Sequence, residues 1–90
     1  MVIIEFNANF TTECVALKYD SEHRWTGDVA YGASFEAMRK LGKHKGYTLV
    51  EHVGHDLIFI KSDLVKDEIE IVHKQTLIHR QEGYERFIDV

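Results

Sequence analysis

GASFEAMRKLGKHKGYTLVEHVGHDLIFIK, residues Gly32 to Lys61, is the stretch whose reading decides the fold. It spells a helix, a strand, a turn and a second strand. Ser34 is placed to cap the helix, because its hydroxyl can accept a backbone N–H that the first turn leaves without a partner. Ser34, Ala37, Met38 and Leu41 recur at helical spacing and lay an apolar stripe, with Lys40 and Lys43 off it. Arg39, Lys40, Lys43, His44 and Lys45 gather late in the helix, where cations suit the negative end of the helix dipole. A phosphate patch is the competing reading of that run. Gly46 fits the position just past the helix, which takes a positive φ, and Tyr47 can fold back on the last turn.

Tyr47 to Val53 alternates as a strand. Tyr47, Leu49 and Glu51 point one way, and Thr48, Val50 and His52 the other. Gly54-His55-Asp56 is a turn, and Leu57 to Ile60 is a buried strand ended by Lys61-Ser62-Asp63. So short a connection implies an antiparallel hairpin. Upstream, Val2 to Phe6 is a β-branched and aromatic run and reads as a strand. Its nearly continuous apolar character predicts an internal strand buried on both faces. A right-handed crossover through the helix would set it parallel to the Tyr47 strand. The expected class is α+β: a mixed three- to four-stranded sheet with at least one helix packed on one face, in a single domain spanning residues 1–90.

Residues 8–31 are the least regular part. Val15, Leu17 and Tyr19 alternate as a short strand, Asp20 to Arg24 is polar, and Thr26-Gly27-Asp28 signals a turn. A long irregular segment in so small a domain points to function. Tyr19, Trp25 and Tyr31 are therefore candidate binding or interface residues, since aromatic anchors dominate interfaces; closing a small core is the alternative use of such rings. Beyond Leu64, Glu68 to Ile71 alternates as a strand, though 67–75 equally suits a charged helix. Phe87 to Val90 suits a final edge strand or a docked end.

Ninety residues make one domain. A chain of this size buries about 60% of the surface that it exposes when unfolded, so partner contacts or self-association would add burial. The formal net charge is −4, and the eleven Lys and Arg are scattered. That argues against a binder that tracks nucleic-acid phosphates. Cys14 is the single cysteine, so no internal disulfide forms and a reducing, cytoplasmic setting is expected. As a nucleophile it would need a histidine and an orienting group beside it; otherwise it is an inert thiol. The start Met-Val-Ile-Ile-Glu does not read as a signal peptide, and no apolar run reaches the length of a membrane span. His52 and His55 flank a turn beside Glu51 and Asp56, residue types that zinc accepts. Their spacing is not that of a structural zinc site, and they read as surface histidines; His73 and His79 are similarly uninformative. No metal is expected.

Several patterns together resemble a known family. They are Ile3-Ile4-Glu5-Phe6-Asn7-Ala8, Tyr19-Asp20 with Trp25, Tyr31-Gly32-Ala33-Ser34, Leu41, Gly46-Tyr47-x-Leu49-Val50, and Phe59 before Asp63-Leu64. In this order they resemble the C-terminal half of a bacterial, FkbM-related, S-adenosylmethionine-dependent methyltransferase-like group. The likeness covers most of residues 2–64, and only loosely the tail with His79-Arg80 and Phe87-Ile88-x-Val90. It implies half of an α/β methyltransferase-like sheet. Two departures stand out. No glycine-rich G-x-G-x-x-G turn occurs, so the segment that holds the cofactor in that group is missing, and the chain by itself is expected to bind no cofactor. Asp56 stands where the group's hairpin usually has Asn. Glu5 and Asn7 fall at the carboxyl end of the first strand, the end beyond which open α/β sheets bind ligands. They are the candidate catalytic positions; a strand cap at Asn7 and an ion pair at Glu5 are the plain alternative. The resulting expectations are a non-catalytic assembly module acting through self-association or a partner protein, or a part of a methyltransferase completed by another chain. Neither nucleic acid nor membrane is expected as a partner.

Overall fold

The computed structural model describes residues 1–67, 69–73 and 82–90. Helix α1 runs Phe35–His44, and Ser34 caps it: its hydroxyl accepts the Ala37 N–H at 3.2 Å. The same oxygen accepts the Val15 N–H at 3.0 Å, and the Ser34 N–H donates to the Val15 carbonyl at 2.9 Å. The helix start is thereby tied to strand β2 (Val15–Leu17). At the other end the Lys45 N–H donates to the Leu41 and Gly42 carbonyls, and Gly46 turns the chain at φ 85°. The buried face carries Phe35 and Ala37, with Met38 half-buried, whereas Leu41 is 47% exposed. The apolar stripe is thus rotated toward Phe35. A β-carbon on Gly42 would stand 2.5 Å from Phe59 Cε1, so this glycine lets the helix lie close against the sheet.

That sheet has three strands, β1 (Val2–Glu5), β3 (Tyr47–Val53) and β4 (Asp56–Lys61), in the order β1-β4-β3. The α+β class and the helix-covered three-stranded sheet follow the sequence reading. The pairing differs from it. β1 pairs with β4 and so does β3, both antiparallel. β1 and β3 therefore run in the same direction, as a crossover requires, but β4 lies between them. Among the described residues β1 is an edge strand, and all four of its residues are exposed. Apolar runs signal a strand but do not say which neighbour it takes.

The hairpin contains a second departure. Leu49 pairs with Phe59 and Glu51 with Ile58, leaving a bulge between Leu49 and Glu51. A bulge inserts one residue and reverses the alternation beyond it. His52, opposite Leu57, therefore joins Leu49 and Phe59 on the helix side, and Glu51 turns outward. The ring of His52 packs 5.1 Å from Phe6 and 5.7 Å from Phe35, so it is no surface histidine. The core consists of Phe6, Ala8, Phe35, Leu49, Leu57 and Phe59, with Met38, Tyr47 and Ile71 packed on it.

β2 pairs antiparallel with β5 (Phe87–Asp89) in a second, two-stranded sheet. Phe10 packs against Phe87 at 4.7 Å and against Tyr84 at 5.7 Å, giving this sheet its own small core. The Cys14 thiol donates to the Val90 carbonyl at 3.3 Å. The expected strand at the chain's end is present as β5. Ile69 to Ile71 form neither strand nor helix. Glu68 and residues 74–81, including His79-Arg80, lie outside the described residues.

Candidate functional site

Asn7 follows β1 directly and is fully buried. Its amide nitrogen donates to the Val29 carbonyl at 2.8 Å and the Tyr31 carbonyl at 2.9 Å. Its amide oxygen accepts from the Asn9 backbone N–H at 3.0 Å and the Asn9 side chain at 2.9 Å. The Asn7 backbone N–H donates to the Ala33 carbonyl at 2.7 Å. A buried amide with donors and acceptor all engaged ties elements together. Asn7 clamps the irregular 29–33 segment onto the end of β1. With these bonds in place it has no face turned to a ligand.

Glu5 is exposed at the end of β1, and its cross-strand neighbour is a second carboxylate, Asp56. Like charges directly opposite are mildly destabilising, so this end of the pair contributes little to holding β1. Beyond it stand Asn9, Tyr31 and Trp25. The Asn9 side chain meets the Tyr31 hydroxyl at 3.3 Å, and the Trp25 and Tyr31 rings meet edge-on at 5.6 Å. The Trp25 indole N–H donates to the Asp28 carbonyl at 2.7 Å. Burial, and then the nearby Glu5 carboxylate, raise the Tyr31 hydroxyl above its ordinary value of 10.0; the Asn9 bond acts the other way and Tyr84 adds to the rise. Tyr31 is therefore a neutral phenol across the physiological range.

Of the residues singled out from the sequence, Glu5, Tyr31 and Trp25 come together around the carboxyl end of β1. Tyr19 does not join them. It is 87% exposed and lines a separate polar cleft of about 370 Å³ with Asp20, His23, Glu85 and Arg86. His23 organises that cleft. Its Nε2 lies 2.8 Å from the Ala30 carbonyl, and its Nδ1 accepts from Arg86 at 2.8 Å. Asn9 and His23 carried no sequence signal, because each is defined by a partner distant along the chain. Among the described residues, no three His, Cys, Asp or Glu side chains converge as metal ligands.

The outer edge of β1 is the other feature of note. Val2 and Ile4 face the helix side, opposite Phe59 and Leu57. With Met38, Leu41, Tyr47 and Phe59 they line an apolar groove of about 180 Å³. Around Met38 and Leu41 a second apolar cleft, of about 350 Å³, continues along the helix to Ala16, Ala33 and Val90. Ile3, on the opposite face, is 58% exposed.

No family model matches this chain, and neither a curated protein nor a solved structure matches it. Among the described residues, no helix is long and apolar enough to cross a membrane.

Proposed function

We propose that this protein is a small assembly module that pairs with a second copy of itself along β1. The apolar outer edge of that strand, which takes no strand partner among the described residues, carries the reading. Edge strands are commonly protected by lysine, proline, a bulge or a covering segment. Val2, Ile3 and Ile4 offer none of the residue-based protections, and the bulge lies in β3. Antiparallel self-pairing about a two-fold axis at Ile3 sets Ile3 beside the partner's Ile3 and Val2 beside the partner's Ile4, and sends the two Glu5 carboxylates to opposite ends. Parallel pairing would place them side by side, which like charges disfavour. The groove beside Val2 and Ile4 supplies apolar surface next to the new strand pair, and a two-fold arrangement is the common form of such association.

Sedimentation analysis tests this. The wild-type chain should run at about twice its monomer mass, and Ile3→Lys should return it to monomer with an unchanged circular-dichroism spectrum. A wild-type protein that stays monomeric at every concentration would sink the reading.

A second reading has one observation in its favour. Glu5, Asn9, Tyr31 and Trp25 gather beyond the carboxyl end of β1, the end at which open α/β sheets take ligands. On this reading the chain is part of an S-adenosylmethionine-dependent methyltransferase completed by another protein. S-adenosylmethionine should then raise the melting temperature only when the completing chain is present, and no shift with it counts against the reading.

A further inference from the structure

The rings of Phe6, Phe35, His52 and His73 form one cluster in which every pair lies 5.1 to 5.8 Å apart. Phe6 is fully buried in it, and His73 stacks on Phe35 with 12° between the planes. His52 Nε2 lies 2.8 Å from the Gly54 carbonyl. A carbonyl only accepts, so Nε2 carries the proton and Nδ1 is the bare nitrogen. The main chain of Thr11 and Phe10 lies beside His73 and acts to raise its titration. The Nε2 of His73 and the Nδ1 of His52 expose essentially no surface to water and have no hydrogen-bond partner among the described residues.

This arrangement suits two neutral imidazoles and is hostile to charged ones. A proton added to either bare nitrogen would meet no acceptor, and a buried donor left unpaired is costly. Two imidazolium rings would also stand 5.8 Å apart. The Arg39 guanidinium already lies 4.8 Å from the centre of the Phe35 ring, with Nη2 unpaired. From α1 the acidic group acting on His73 is Glu36, which already faces Arg39 at 3.7 Å; from β3 the group is His52 itself. Glu36 is thus already engaged by Arg39, and Glu51, the carboxylate beside His52, accepts the His52 main-chain N–H at 3.0 Å.

His73 ends a strap, Ile69–His73, that runs beside the sheet. Ile71 packs on the core, and Ile69 to Ile71 share a cleft of about 310 Å³ with Thr48 and Leu49 of β3 and Arg39 and Lys43 of α1. We propose that His52 and His73 form a proton-operated latch. With both rings neutral the strap stays docked on α1 and β3, and a proton taken up by His73 beside the His52 ring releases it and uncovers that flank of β3.

The direction of the His73 titration agrees. Burial lowers it below its ordinary value of 6.5, and His52 lowers it further, against the raising effects of the Thr11 and Phe10 main chain and of Glu36. The released strap therefore takes up protons first. Docking is fully stable above 6.5 and is lost progressively as the pH falls below that value.

Hydrogen exchange on the full chain tests the latch, comparing wild type with His73→Phe, which keeps the ring and removes the titration. Corrected for intrinsic rates, exchange of the 69–73 amides should accelerate by roughly an order of magnitude between about pH 7.5 and about pH 5 in wild type, and stay level in the variant. Three outcomes overturn the proposal. They are a wild type that shows no pH effect, a variant that opens as wild type does, and zinc at neutral pH slowing exchange in wild type but not in the variant. The last would make the pair a metal site instead. Should His73→Phe fail to fold, ring-proton NMR of wild type decides: a His73 that titrates at or above 6.5 also overturns the latch.

Discussion

Asn7→Asp is expected to leave the protein largely unfolded at neutral pH. The substitution changes few atoms and almost no volume. It replaces a donor that serves the Val29 and Tyr31 carbonyls with a carboxylate oxygen, so two hydrogen bonds become two repulsions. Asn7 is completely buried, and the new charge would have no base beside it among its observed partners. An uncompensated buried charge costs about 3–5 kcal/mol, against a total stability that can be as low as about 5 kcal/mol in a small domain. Urea denaturation followed by circular dichroism measures the loss. The sign with pH is distinctive. Burial raises the carboxyl's folded-state pKa above its unfolded value, so the variant should gain stability relative to wild type as the solution is acidified. Asn7→Ala removes the bonds without adding charge and should lose less, about 1–3 kcal/mol. A variant Asn7→Asp as stable as wild type at neutral pH would contradict the clamp.

Phe6→Ala should be comparably damaging, for a different reason. Phe6 is 1% exposed, and its ring meets Phe35, His52 and His73 edge-on at 5.1 to 5.6 Å. It is where the otherwise exposed β1 enters the core. Truncation removes one of the four rings and leaves a cavity, at a cost of about 3–5 kcal/mol. Thermal unfolding should lose its cooperative transition, and Phe6→Leu should recover part of it. A cooperative transition kept within a degree or two of the wild-type temperature would show that the four-ring cluster does not organise this end of the sheet.

These two neighbours also show how much of the site was legible in advance. Glu5, Asn7, Tyr31 and Trp25 were each visible from the sequence as residues of interest. Their division of labour was not. Asn7 spends its hydrogen bonds on Val29 and Tyr31, 22 and 24 residues away, and nothing local specifies those partners. Tyr19 looked equivalent to Trp25 and Tyr31 but lies on a different surface, because the turns built on Asp20 and Asp28 separate them. Strict alternation places His52 outward, whereas the bulge between Leu49 and Glu51 turns it into the core.

The stretch from Gly32 to Lys61 was determined by the amino-acid sequence itself: the Ser34 cap, the helix, the Gly46 turn and the antiparallel hairpin all appear where their residues place them. These features depend on neighbours a few positions away, and short-range chemistry is readable from order alone. Only the tertiary structure decided that β1 takes the outer edge beside β4, that Asn7 is a clamp, and that His52 meets His73. Each of these is a choice among long-range partners, made by the packing of the whole core, and an apolar strand or a polar side chain carries no local mark of which partner it will take.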